Sequence, residues 1–305
     1  MIDKSIETAG GPLYPIREVS RLTGVNSVTL RAWERRYGLI QPRRTPKGHR
    51  LYAREDIERV ERILQWLNRG VPVSQVAELL DQPMPRQDSA PVQASGNDWT
   101  AQCREALQAI ESFDTTRLDT LFTRSMGLYP VNTVIMHVWR PVVERLEEHG
   151  NTTFGATAQR RFFEAFLRTR LGLRLYHGNL EHNEPRLLLS RLPDDPGMLW
   201  LLLVAFTAST GGFHVTLFDE AIPTAELAWA AERCQANAVV LVGSQADRSG
   251  LIRRQLPKIT EQLRVPLCLS GPVTRIRAHE LESSSIILLD DDPNQSTSHL
   301  RTLIG

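Results

Sequence analysis

The stretch from residue 25 to residue 59, VNSVTLRAWERRYGLIQPRRTPKGHRLYAREDIER, most constrains the fold, because a short helix pattern runs directly into a loop interrupted by proline and glycine. Between Arg31 and Arg50 it carries seven basic side chains and one acid, Glu34. A solvated helix face normally mixes both signs, so this excess indicates an anionic partner. Double-stranded DNA fits best, because basic residues on a helix and on an adjacent turn can follow a phosphate backbone.

Apolar spacing predicts two helices joined by a tight turn near the start of the chain. Ile16, Val19 and Leu22 recur at helical spacing, and Gly24 supplies a turn at which two helices can meet at a steep angle. The second helix is predicted over residues 27–37. Helix, turn and helix are therefore expected in that order.

The second helix has a predicted inner and outer face. Ser27 is the expected N-cap and Gly38 the expected stop. Leu30 and Trp33 are expected to face inward. The side chains expected on the outside are Thr29, Arg31, Arg35 and Arg36.

A hairpin is predicted directly after this helix. Residues 43–52 have Pro46 and Gly48 at their centre, which is typical of a two-stranded wing. Residues 56–67 and 74–80 then show helical patterns. The segment 1–80 therefore reads as a winged helix-turn-helix.

Length and composition indicate an ordinary globular protein of two or three domains, with 305 residues, 41% hydrophobic and 23% charged. No signal peptide is apparent, and the longest apolar run, residues 199–206, is too short to cross a bilayer. The three cysteines, Cys103, Cys234 and Cys268, are too widely spaced for a disulfide framework or a cysteine zinc site. We therefore expect a soluble cytoplasmic protein.

Charge is divided unequally along the chain. The first 80 residues carry 14 Lys+Arg and 9 Asp+Glu, a net charge of +5, whereas the remaining 22 and 26 give −4. Only the N-terminal segment therefore favours nucleic acid. This division is typical of a regulator with a separate sensing half.

The middle of the chain predicts a linker and a helical bundle. Residues 81–97 contain four prolines or glycines and almost no large apolar side chain, which is typical of a flexible linker. Helical patterns follow near 98–112, 115–126, 131–149 and 156–177. Four helices of this kind predict a four-helix bundle over residues 98–180.

The last third, residues 181–305, alternates between strand and helix patterns. The short apolar runs are RLLLSRL, FHVTLFD, AVVLVGS, VPLCLSG and SIILLDD. Helical stretches such as 223–235 and 248–263 separate them. The pattern predicts an α/β domain with a doubly wound parallel five-stranded sheet, whose ligand crevice lies at the carboxyl ends of the strands.

Residues 14–80 resemble the MerR family of transcriptional regulators, in which an all-α winged helix-turn-helix binds DNA. The matching motifs are Gly24-Val25, Thr29-Leu30-Arg31-Ala32-Trp33-Glu34, Gly38-Leu39, Pro42-Arg43-Arg44 and Gly48-His49-Arg50-Leu51-Tyr52. Trp33 together with His49 is most similar to the MlrA/CarA/CarH-like subgroup. In that subgroup a C-terminal half similar to cobalamin-binding modules, a helical bundle followed by a doubly wound domain, replaces the metal or drug site of other members.

The resemblance implies a homodimer on a pseudo-palindromic site in double-stranded promoter DNA, with the second helix in the major groove and the wing over the backbone or minor groove. Relatives of this kind distort a long promoter spacer, which implies an activator that affects RNA polymerase indirectly. Arg31, Arg50 and Tyr52 are the expected phosphate contacts. Ser27, Thr29, Arg35 and Arg36 are the expected base contacts. Arg44, Lys47 and His49 complete the predicted DNA-binding set.

The cobalamin motif of the subgroup is incomplete in this chain. Such modules carry D-x-H-x-x-G before the first buried helix, and here residues 195–200 read Asp-Pro-Gly-Met-Leu-Trp. Gly197 cannot coordinate cobalt, and the Trp200 indole would occupy space that the corrin or its tail requires.

Two further cobalamin features are also missing. The light-sensing relatives have a Trp in the bundle followed by Glu-His, but residues 147–158 contain no Trp, and Arg160-Arg161 stand where Glu-His would fall. The paired glycines that receive the nucleotide tail are reduced to Ser270-Gly271. We therefore predict no cofactor. The alternatives are a cobalamin-dependent light- or cofactor-sensing regulator and a corrinoid carrier protein.

Other polar and aromatic residues are interpreted as structural. Trp139, Trp200 and Trp229 are expected in the core, and the histidines lack paired metal-ligand spacing. Arg160 and Arg161 are expected to pair with Glu147, Glu148 or Glu164 rather than with an anionic effector. The acids 290–292 are interpreted as solvated loop residues at an edge strand.

Catalytic motifs are missing as well. Gly243-Ser244 lacks the second glycine of G-x-S-x-G, and neither a G-x-G-x-x-G motif nor a phosphate loop precedes a helix. The sequence does not predict an enzyme.

Overall fold

The computed structural model describes residues 6–8, 11–80, 97–149, 153–245, 250–281 and 285–305. Its contacts divide the chain into two compact units, Met1–Val142 and Val143–Gly305. Within the described ranges, no helix combines the length and the apolar character needed to cross a membrane. The domain boundaries at residues 80, 97 and 180 that the sequence predicts remain a prediction.

The first unit begins with the predicted helix-turn-helix and wing. Its elements are β1 (Ile6–Thr8), β2 (Gly11–Pro15), α1 (Ile16–Thr23), α2 (Ser27–Tyr37), β3 (Arg43–Arg44), β4 (Arg50–Tyr52), α3 (Arg54–Asn68) and α4 (Val73–Leu79). The four helices and the wing agree with the sequence prediction to within two residues. Gly24 lies at φ 71°, which is the left-handed conformation that the α1–α2 turn requires.

The all-α description of this unit needs a correction. Strands β1, β2, β4 and β3 form a four-stranded antiparallel sheet in that order. Strand β2 has the sequence GPLYP, in which glycine and two prolines argue against a strand. It forms because Tyr14 and Pro15 pair with Tyr52 and Leu51 of the wing. That contact is tertiary, and no local pattern predicts it.

The predicted helical region follows, although the structure describes little of the predicted linker. Residues 81–96 of the linker lie outside the described residues, and Asn97 begins α5. The elements are α5 (Asn97–Glu111), α6 (Thr115–Leu128), α7 (Val131–Val134), a π-helical turn (Ile135–Trp139), α8 (Arg140–His149) and α9 (Ala156–Glu181). The four predicted helical segments are confirmed. Their packing into a single bundle stays a prediction.

The π-helical turn has a local cause. Pro141 has no N–H with which to close a helical hydrogen bond to the preceding turn. The Cys103 thiol instead donates to the His137 carbonyl oxygen, with 3.3 Å between sulfur and oxygen. Burial raises the pKa of this thiol to about 11. Cys103 is therefore a structural donor rather than a reactive thiolate.

The second unit contains the predicted α/β domain. After α9 come β5 (Arg186–Arg191), α10 (Met198–Thr210), β6 (His214–Phe218), a 3₁₀ turn (Thr224–Glu226), α11 (Leu227–Arg233), β7 (Ala238–Val242), α12 (Leu251–Arg254), α13 (Leu256–Thr260), β8 (Leu267–Ser270), α14 (Val273–Leu281), β9 (Ile287–Leu288) and α15 (Pro293–Ile304). All five strands are parallel, in the order β6-β5-β7-β8-β9. This confirms the doubly wound sheet.

The order of the strands sets the position of the crevice. The chain moves from β5 outward to β6 and then returns to the other side of β5 with β7, so the winding direction changes between β5 and β7. Ligands of such sheets bind at the carboxyl ends of the strands on either side of this point. Helix α10, almost wholly buried, follows β5 directly and covers the sheet.

Two structural expectations from the sequence are corrected here. Trp229 is 61% exposed rather than in the core, because α11 turns Leu227, Ala230 and Ala231 inward instead. Asp292 is not a solvated loop acid: it is 6% exposed and caps α15, accepting the Asn294 N–H at 2.7 Å.

Three other expectations hold. Trp139 and Trp200 are buried. Arg161 pairs with Glu164 at 2.8 Å, as the ion-pair interpretation predicted.

Candidate nucleic-acid interface

The position of α2 is set by its cap and its buried face. Asn26, rather than the predicted Ser27, is the N-cap, and its side chain accepts the Thr29 N–H at 2.8 Å. Leu30 and Trp33 are fully buried, as expected. The Trp33 indole N–H donates to the Leu128 carbonyl oxygen of α6 at 2.9 Å, which holds α2 against α6.

The wing is a short hairpin whose tip carries the predicted basic residues. Arg43 pairs with Leu51, and Arg44 pairs with Arg50. Gly48 lies at φ 81°, and its N–H donates to the Thr45 carbonyl oxygen at 2.8 Å, which closes the turn. The tip is thereby held to one conformation.

Glu34 connects the helix to the wing. Its carboxylate accepts hydrogen bonds from Arg44, at 2.7 Å, and from Arg50. Burial alone would raise the pKa of Glu34, but the hydrogen bonds from Arg50 and Arg44 outweigh burial and lower the pKa. From the sequence alone, Glu34 is interpreted only as the single acid among seven basic side chains. In the structure it positions β3 and β4 relative to α2.

The structure separates the predicted contact residues into three groups. The exposed members are Arg31, Arg35, Arg36, Arg44, Lys47 and His49. Ser27 and Arg50 are partly buried, and the Arg50 side chain is only 18% exposed because it pairs with Glu34.

Thr29 and Tyr52 are corrections, because both are fully buried and cannot reach DNA. Burial, followed by the charge of Glu34, raises the pKa of Tyr52 to about 12, so this phenol stays neutral. Its side chain belongs to the core under the wing. Thr29 falls on the inner face of α2 because it lies four residues before the buried Trp33, and residues at this spacing share one side of a helix.

A cleft lies beside the exposed side of α2. It measures about 490 Å³ and is lined by Val28, Ala32, Arg35 and Arg36 from α2 and by Asp119, Thr120, Thr123, Arg124, Gly127 and Leu128 from α6. Ala32 is buried there, while Arg35 and Arg36 remain exposed at the rim. One flank of α2 is therefore covered, and the arginines extend beyond it.

The crevice of the α/β domain is closed by its own side chains. Asp195 accepts hydrogen bonds from the N–H groups of Gly197 and Ser244, at 2.7 and 2.8 Å, and from the Ser244 hydroxyl at 2.9 Å. A Cβ atom added to Gly197 would lie 2.5 Å from the Ser244 Cβ. A ligating histidine has no room at position 197.

The side chain of the neighbouring Trp200 also makes a contact inside the protein. It is buried, and its indole N–H donates to Glu147 of α8 at 2.6 Å. Burial raises the pKa of Glu147 to about 7. Because no imidazole is available at position 197 and the indole is packed inside, the residues present do not fit a corrin.

A basic helix joined to a hairpin wing by one carboxylate is the arrangement of a winged helix-turn-helix domain. Residues 14–83 match the sequence family described as "MerR HTH family regulatory protein". The N-terminal part of this chain is therefore a MerR-type domain.

Several regulators are similar to this chain. The HTH-type transcriptional regulator MlrA of Escherichia coli is 39% identical over 44% of this chain and 52% of its own length. The HTH-type transcriptional repressor CarH of Myxococcus xanthus is 28% identical over 70% of this chain and 73% of its own length. The chain thus spans about half the length of MlrA.

Among solved structures, a Methanosarcina barkeri monomethylamine corrinoid protein aligns with a TM-score of 0.48 and 14% identity. The alignment covers 67% of this chain and 99% of that protein.

Proposed function

We propose that this protein is a sequence-specific, DNA-binding transcriptional regulator of the MerR type. The observation that carries the proposal is the group of exposed arginines on α2 and the wing, which Glu34 holds on one surface. An α-helix fits the major groove, and an arginine there can grip guanine with two hydrogen bonds. The basic side chains of the wing lie at a turn that can follow the phosphates of the DNA backbone.

The protein acts as a homodimer on a pseudo-palindromic promoter site. Regulators of this type take part of their specificity from deformation of the promoter, so the predicted outcome is activation through RNA polymerase. CarH is named a repressor, and the sign of regulation here is tested by transcription of a template with a long promoter spacer. We propose the cytoplasm as its location.

The C-terminal half does not serve as a corrin sensor in this proposal. The side-chain contacts of Asp195 and Trp200 argue against both a cobalamin-dependent regulator and a corrinoid carrier. A carrier would also have no use for the basic helix and wing. Titration with adenosylcobalamin followed by its visible spectrum is expected to leave the corrin unbound, and a stoichiometric complex would contradict this part of the proposal.

The central test is a change at the recognition helix. Replacing Arg35 by Ala is expected to lower operator affinity about 5- to 150-fold and to relax preference at one base pair, since a bidentate contact discriminates by about 1–3 kcal/mol. Fragments selected from genomic DNA supply the operator, and gel retardation measures the affinity.

The matched control is Arg54→Ala. Arg54 is also exposed but lies outside α2, at the start of α3, where it pairs with Glu58 at 3.4 Å. Its removal is expected to change affinity less than threefold, because it takes away one paired charge that is not presented by α2. Equal effects of the two substitutions would refute the assignment of α2 as the reading element.

A further inference from the structure

Helix α9 buries one face and leaves a second apolar stripe exposed. Phe163, Leu167 and Leu171 are buried on the side that packs against α10 and β6. On another side Leu173, Tyr176 and Leu180 are 63%, 65% and 69% exposed. Their spacing of three and four residues places them in one row along the helix. Large apolar side chains in a row at this exposure mark a contact surface.

The same row continues with small residues in the N-terminal direction. Ala165, Thr169 and Gly172 are exposed, and the space beside Gly172 is open. One half of the row therefore consists of small residues and the other half of large ones. The small residues are Ala165, Thr169 and Gly172, and the large residues are Leu173, Tyr176 and Leu180. Its length is about 22 Å at 1.5 Å per residue.

These two halves complement each other when a second copy is turned end to end. With the two-fold axis between residues 172 and 173, Ala165 faces Leu180 of the partner subunit, and Thr169 faces the partner's Tyr176. Leu173 faces the partner's Gly172. Each large side chain thus meets a small one, which is the condition for close packing of two helices. A parallel pair would set large against large.

The charges at the two ends favour the same arrangement. Arg161 is exposed near the start of α9, and Glu181 and Glu184 are exposed at and just beyond its end. An antiparallel pair brings each basic end beside the partner's acidic end. A parallel pair would set like charges against each other.

We propose that a second copy of this chain docks on α9 through residues 165–180, as an antiparallel, two-fold helix pair. This deepens the homodimer part of the proposed function by assigning its surface. An isologous contact of this kind closes after two subunits, which suits a two-fold DNA site.

The first test is a charge in the middle of the stripe. Leu173→Glu in the full chain is expected to raise the dimer dissociation constant at least tenfold in sedimentation velocity, because it places two carboxylates near the axis. Tyr176→Ala, which only truncates a side chain, is expected to act in the same direction. Ile276→Glu is the control: Ile276 is 50% exposed on α14 and its replacement is expected to leave the dimer unchanged.

The register is tested by exchanging a small and a large residue. Ala165→Leu alone fills the space needed by the partner's Leu180, and Leu180→Ala alone leaves a gap, so each is expected to weaken the dimer. The double variant A165L/L180A restores the match and is expected to recover most of the wild-type association. A double variant no stronger than the two single variants overturns the antiparallel register.

The outcome is read separately from DNA binding. Wild-type protein that stays monomeric, or a Leu173→Glu protein that stays dimeric, overturns the α9 proposal. Either result leaves the DNA proposal intact if the same protein retards promoter fragments and loses this property with Arg35→Ala. If the Leu173→Glu protein loses the dimer but still retards promoter fragments at higher protein concentration, the result supports both the α9 proposal and the DNA proposal.

Discussion

Glu34 is the residue on which the shape of the basic surface depends. Its carboxylate is 15% exposed and is shared between two arginines of the wing, so the wing cannot rotate away from α2 without breaking a charge-assisted pair. The same carboxylate withdraws Arg50 from solvent. Arg50 therefore supports the surface, while Arg35 and Arg36 remain available to a ligand.

Replacing Glu34 by Gln is expected to reduce discrimination between operator and random DNA. Loss of the negative charge strengthens non-specific attraction to phosphates, and a released wing weakens the specific arrangement. The ratio of the two affinities, measured by retardation with competitor DNA, should fall about 10-fold. A variant with an unchanged ratio would show that the wing keeps its position without Glu34.

Glu147 gives the second unit a dependence on pH. Burial raises the pKa of Glu147 from an ordinary 4.5 to about 7, while the hydrogen bond from Trp200 opposes this shift. Asp195 and Glu164 add to the rise, and Arg160 counteracts it. The folded protein therefore holds this proton more tightly than the unfolded chain does.

The stability contributed by Glu147 is fully present below about pH 4.5 and is lost as the pH rises through about 7. The loss amounts to about 3 kcal/mol at most. Urea unfolding of the wild type should show a falling free energy between pH 5.5 and pH 7.5. Glu147→Gln, which can still accept the indole N–H, should flatten this interval, and an equally steep fall in that variant would assign the effect to another group.

At the scale of elements, the loop after β5 and the loop after β7 close the crevice together. Asp195 of the first loop accepts both N–H and O–H groups of Ser244 in the second. Gly197 lies so close to Ser244 that no side chain fits between them. Gly197 stands where the cobalamin motif has its ligating histidine. The same glycine, because it has no side chain, permits the close contact between the two loops.

Gly197→Ala is expected to destabilise the protein by about 1–3 kcal/mol, since the new methyl group must displace the Ser244 side chain or the Asp195 carboxylate. Gly127→Ala is the matched control, because nothing lies within 4 Å of a Cβ atom at that position of α6. That change should leave stability equal or about 0.5–1 kcal/mol higher. Thermal unfolding compares the two, and equal midpoints would show that the crevice is open.

At the scale of the whole molecule, positive charge is concentrated in the segment that carries the proposed DNA surface. The net charge is +5 over residues 1–80 and −4 over the rest, so the proposed association with DNA is expected to depend on the N-terminal segment. A dimer that neutralises about 6–10 phosphates should lose about 10³- to 10⁵-fold in affinity between 50 and 200 mM salt. Retardation across this range measures the slope. A slope near zero would exclude phosphate contacts as the main source of affinity.

Local patterns were sufficient for most of the elements. Helical spacing, the glycines at positions 24, 38 and 48, and five apolar runs predicted α1, α2, the wing and the parallel sheet, because these signals act within a few residues. The MerR-type motif and the basic excess likewise lie in one continuous stretch, so the sequence alone is sufficient to propose double-stranded DNA as the partner.

Tertiary structure decided which side chains are available. Thr29 and Tyr52 match the motif but are buried. Glu34 forms ion pairs with two arginines of the wing. Strand β2 exists only because the wing pairs with it. The contact between Glu147 and Trp200 joins residues 53 positions apart. Exposure and pairing depend on neighbours distant in sequence, and for that reason no local pattern could supply them.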